Sequence, residues 1–83
     1  MCNFNFHIEN DNLFLEIQNR DSISYKEQFT ISQENKRLYE LANKLTKLKL
    51  QFTPTKISIS GESWFENVLN KLFRPFSINR TNF

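Results

Sequence analysis

Phe4-Asn5-Phe6-His7-Ile8-Glu9-Asn10-Asp11-Asn12-Leu13-Phe14-Leu15-Glu16-Ile17-Gln18 is the stretch that decides the fold. Phe4, Phe6 and Ile8 fall on one parity, with Asn5, His7 and Glu9 on the other. Successive side chains of a strand point to opposite faces, so this run has one apolar face. Asn10-Asp11-Asn12 supplies turn chemistry, because Asn and Asp tolerate left-handed backbone angles. Leu13, Leu15 and Ile17 then resume the alternation against Phe14, Glu16 and Gln18. Two period-2 runs around a short polar turn predict a β-hairpin.

Downstream, Asn19 to Ser22 reads as a second turn. Ile23, Tyr25, Phe29 and Ile31 share a parity in a third strand, but Glu27 stands on that same parity. A charge there marks a bulge, an edge or an open end of the sheet. Ser32 is a good helix N-cap, and Leu38, Leu41, Ala42, Leu45 and Leu48 recur at helical spacing. Lys49 would fall on that apolar stripe, so the helix is expected to end near 47–49, with Leu48, Leu50 and Phe52 extended. Ile57 and Ile59 make a short fourth strand, closed by Gly61, the only glycine. Ser63 and Glu66 fit a capping box. Trp64, Phe65, Val68, Leu69, Leu72 and Phe73 form the stripe of a second helix, which Pro75 ends.

These readings give an α+β single domain over 1–75 in the order β-β-β-α-β-α, with a C-terminal tail at 76–83. The sheet is expected to be mainly antiparallel and three- to four-stranded, with two amphipathic helices on one face. The chain has 83 residues, of which 39% are hydrophobic and 14% aromatic, nine of them Phe. A domain of this size buries only about 60% of its unfolded surface, so rings burying roughly 150–250 Å² each matter to the core. One cysteine, Cys2, rules out an internal disulfide. Together with no signal peptide and no run of apolar residues able to span a bilayer, it predicts a soluble, cytoplasmic protein with no membrane partner.

Catalytic signatures are missing. His7 is the only histidine, which leaves no zinc ligand set with Cys2 and predicts no metal and no cofactor. The acids form no metal-binding spacing, one glycine leaves no room for a phosphate loop, and no nucleophile elbow surrounds any serine. His7 reads as a surface imidazole. Glu9 shares its strand face, Glu16 is expected across the hairpin, and Ser60 and Ser63 have no histidine nearby in sequence; an enzyme would need His7 within hydrogen-bond reach of a serine or carboxylate inside a concave pocket. The expected class is therefore not an enzyme.

Binding residues are easier to nominate. Lys36, Lys44 and Lys47 project from one side of the first helix with Arg37 beside them, and Arg74 and Arg80 interleave with Phe76 and Phe83. Such cations suit phosphates, yet Glu40 between Lys36 and Lys44 also fits an ordinary solvated face. Trp64 and Phe76 are the apolar candidates. In size and composition alone, the chain is similar to phage-borne inhibitors of host enzymes, anti-CRISPR proteins among them, and equally to antitoxins and accessory subunits. No residue carries that similarity and no site follows from it. The expected function is a small inhibitor or regulator that occupies a surface of a larger nucleic-acid-handling protein or nucleoprotein complex. The alternatives are direct RNA or single-stranded DNA binding, and a structural subunit that homodimerises.

Overall fold

The computed structural model describes residues 2–31, 37–74 and 78–80. Its elements are β1 (Cys2–Glu9), β2 (Asn12–Asn19), β3 (Ser22–Thr30), α1 (Arg37–Phe52), β4 (Pro54–Gly61), a single 3-10 turn (Ser63–Phe65), α2 (Glu66–Leu72) and β5 (Ile78–Arg80). The strands form one sheet in the order β3-β2-β1-β4-β5. Pairing is antiparallel for β1 with β2 and for β2 with β3, and parallel for β1 with β4 and for β4 with β5. The fold is α+β as expected. The sheet, however, is mixed and five-stranded, not mainly antiparallel with three or four strands. A parallel neighbour needs a crossover, and α1 supplies it between β3 and β4. The fifth strand comes from three residues of the segment read as a tail, where one apolar residue, Ile78, gives no period to detect.

The β1–β2 hairpin forms as read. Asn10 and Asp11 take φ of +50° and +61°, the pair of left-handed residues that matches a two-residue turn to strand twist. Phe4, Phe6, Ile8, Leu13, Leu15, Ile17, Ile57 and Ile59 are all buried on one face. Both helices pack there. Phe52 of α1 meets Tyr25, and Phe73, just past α2, sits edge-on to Phe4 and Phe6 at 5.8 and 5.7 Å. Edge-to-face rings gain about 0.5–1.5 kcal/mol beyond the area they bury.

Three local expectations fail, each for a physical reason. Helix α1 runs on to Phe52 because Lys49 is accommodated on its stripe. The Lys49 ammonium lies over the Phe73 ring, 5.9 Å from the centroid, and donates to the Leu72 carbonyl at 2.8 Å. Thr53, at φ +49°, then ends the helix. Ser63 caps nothing with its side chain. The chain enters α2 through the 3-10 turn, and Glu66 faces Arg80 at 3.6 Å instead of reaching back. In β3, Ile23 leaves the core parity because Ser24 is the extra residue of a bulge opposite Ile17 and Gln18. Ile23 is 53% exposed as a result. Ser32, read as the N-cap of the first helix, lies outside the described residues, as does the Leu38 side chain.

Gly61 closes β4 against β1 with φ +86°, and a Cβ there would overlap the Ile8 carbonyl oxygen. Only glycine meets both demands.

Candidate functional site: the bare face of the sheet

Helices on one face leave the opposite face open, and the register lays its side chains in rows. One row runs Gln28, Phe14, His7, Ser60 across β3, β2, β1 and β4. The next runs Lys26, Glu16, Asn5, Ser58, Asn79 and reaches β5. Twist hollows the middle into a shallow depression of about 510 Å³, lined by Asn5, His7, Phe14, Glu16, Lys26, Gln28 and Ser60 among others. The His7 and Phe14 rings lie 6.0 Å apart. Phe14 is 39% exposed, a large ring left on a face of amides, hydroxyls and balanced charge.

His7 joins two neighbours. Its Nδ1 is 2.9 Å from Ser60 Oγ and its Nε2 is 3.2 Å from Glu9 Oε2. An ionised carboxylate only accepts, so in the neutral ring Nε2–H donates to Glu9 and Nδ1 accepts from the Ser60 hydroxyl, for whose one proton the Phe6 carbonyl at 3.5 Å competes. Hydroxyl, imidazole and carboxylate thus stand in the sequence that serine hydrolases use. Two further requirements of acyl transfer are poorly met. Donors must point at the developing oxyanion, which is usually the largest catalytic contribution. Ser60 lies mid-ladder opposite His7, and the pairing continues through Gly61 to the Glu62 N–H, which donates to the Ile8 carbonyl at 2.9 Å. The Ser60 backbone is therefore engaged with β1, and the Gly61 carbonyl takes the Arg80 guanidinium. The Glu9 side chain is also 64% exposed, so water competes for the carboxylate that should orient the ring.

The nominated cations are dispersed. Lys44 is ion-paired to Glu27 and lies over the Phe29 ring, beside β3. Arg80 bonds the Gly61 carbonyl and faces Glu66, at the other end of the sheet. Lys47 on α1 and Arg74 past α2 are exposed. Trp64 is half-buried, stacked edge-on to Phe65, with its Nε1–H donated to Glu62 at 3.0 Å. Lys36 and Phe76 lie outside the described residues, as does the side chain of Arg37. The open face was missed as a site, although one signal was available: Phe14 stands on the polar parity of β2.

Among the described residues, no three His, Cys, Asp or Glu side chains converge as a metal would require. No helix among them is long and apolar enough to cross a membrane. No protein-family model and no curated protein matches the chain.

Proposed function

We propose that this chain is a non-enzymatic binding protein that inhibits or regulates a larger protein by occupying its surface, using the bare face of the sheet. The observation that carries this reading is the exposure of Phe14 and Ile23 on a face otherwise made of amides, hydroxyls and charges of both signs. Interfaces concentrate their energy in a few such anchors with a polar surround. The nucleic-acid-handling target suggested by the lysines has weaker support, because Lys44 and Arg80 are engaged within the fold. Glu9 and Glu16 on the open face would also repel phosphates.

Copurification from a lysate of the encoding cells, with and without nuclease, tests this. One protein should be retained after nuclease treatment and lost from the Phe14→Ser, Ile23→Ser double variant. Retention that survives both substitutions, or no retention at all, removes the reading. Retention abolished by nuclease assigns the face to nucleic acid.

The Ser60–His7–Glu9 string supports a second reading, a serine hydrolase. A fluorophosphonate probe labelling the wild type, but not Ser60→Ala or His7→Ala, would establish it and displace the first. The expected result is no labelling.

A further inference from the structure

A second surface lies at the edge of the sheet, next to the open face. Strand β3 ends the strand order, and no described strand pairs with its outer side. Its backbone polarity follows from one hydrogen bond. The Ile31 N–H donates to the Asp11 carbonyl at 2.7 Å, in register with the β2–β3 ladder. Alternate residues of an antiparallel strand give both backbone groups to the same neighbour. Tyr25, Glu27 and Phe29, on the parity of Ile31, therefore serve β2, and Lys26, Gln28 and Thr30 direct N–H and C=O outward. Alongside runs a groove of about 330 Å³ between β3 and α1, with Phe29, Ile31 and Leu41 on its apolar side and Glu40 and Lys44 from the helix. Lys44 is occupied by Glu27, whereas Glu40 has no ion pair among the described side chains, which do not include those of Lys36 and Arg37.

We propose that this groove takes one extended segment of the partner protein, added to the sheet as a sixth strand against Lys26, Gln28 and Thr30. The proposal rests on the protein-binding reading above and names how the partner engages. Main-chain bonds supply affinity in such strand addition, and alternate side chains supply specificity. Here alternate residues of the segment would face α1, one apolar against Phe29 and Leu41 and one basic against Glu40. A second copy of this chain fits poorly. Two-fold pairing centred on Lys26 or Glu27 sets like charges opposite one another, and centring on Gln28 or Phe29 sets Glu27 against Phe29 or Ile31.

A displayed library of random twelve-residue peptides, selected on the wild-type protein, provides the test. Enriched peptides should alternate apolar residues with a lysine or arginine. Proline at an outward-facing edge position removes the donor without touching the β2 ladder. Gln28→Pro should therefore weaken these peptides at least tenfold. Glu40→Lys should weaken them severalfold and be rescued by exchanging the peptide's basic residue for glutamate, a readout that stands even if Gln28→Pro does not fold. The proposal is overturned if no peptide is enriched, if binding is indifferent to Gln28→Pro and Glu40→Lys, or if Gln28→Pro instead abolishes a dimer of the chain itself. Peptides that depend on Phe14 alone would overturn it while leaving the bare-face reading intact.

Discussion

The two faces of the sheet are built from the same strands, often from adjacent residues, yet they do different work. Phe6 is buried under Phe73 and Phe14 is left in the open, although both lie on the central hairpin. On the covered face, each ring displaces water and touches others, so its loss leaves a cavity. On the bare face, Phe14 keeps 39% of its surface exposed, so the fold holds less of it. If the bare face binds a partner, as proposed, the strand pleat separates stability from recognition, and substitutions on the two faces should give opposite profiles.

The largest effect is expected from Phe73→Ala. Removing the ring that Phe4 and Phe6 share should cost about 3–5 kcal/mol, measured as a lowered midpoint in urea denaturation. That is much of the total stability of a domain this small. Gly61→Ala should follow at about 2–4 kcal/mol, since the left-handed angle and the contact with Ile8 are both violated. A loss under 1 kcal/mol would mean that β4 separates from β1 there with little consequence.

Glu27→Val sharpens the comparison at the boundary between the faces. The Glu27–Lys44 pair is half-exposed, and an ion pair that open to water contributes only about 0–1 kcal/mol. Stability should change by less than about 1 kcal/mol. The edge would nonetheless lose its inward-pointing charge, one of the devices that keep sheet edges from pairing with each other. Sedimentation velocity should therefore show concentration-dependent association absent from the wild type. The smallest stability effect belongs to Phe14→Ser with Ile23→Ser, within about 0.5 kcal/mol as for other exposed positions. A larger loss would mean that the bare face contributes to the fold.

The hairpin, the buried parity and both helical stripes were legible because each is a local periodicity carried by several residues. Phe4 to Ile17 needs no distant information. Position 49 misleads because a lysine on an apolar stripe looks like a helix end until Phe73 and the Leu72 carbonyl are seen beside it. Strand β5 has one apolar residue, and Ile78 acquires its meaning only from Ile57 next to it. The same limit applies to the candidate sites. Glu27 was consistent with an edge, and Glu9 stands two residues from His7 on one strand face, but Ser60 reaches His7 only through a parallel pairing that no spacing encodes.

That parallel pairing also sets the order of assembly. Joining β1 to β2 closes a two-residue turn, an event of microseconds, whereas joining β1 to β4 means bringing together segments separated by two strands and a helix. Distant pairing of this kind slows folding, because chain entropy is lost before the contacts compensate. The refolding barrier should therefore be governed by docking of β4 on β1. Ile59→Val should retard refolding in stopped-flow experiments more than Ile17→Val does, even when the two are matched in equilibrium destabilisation.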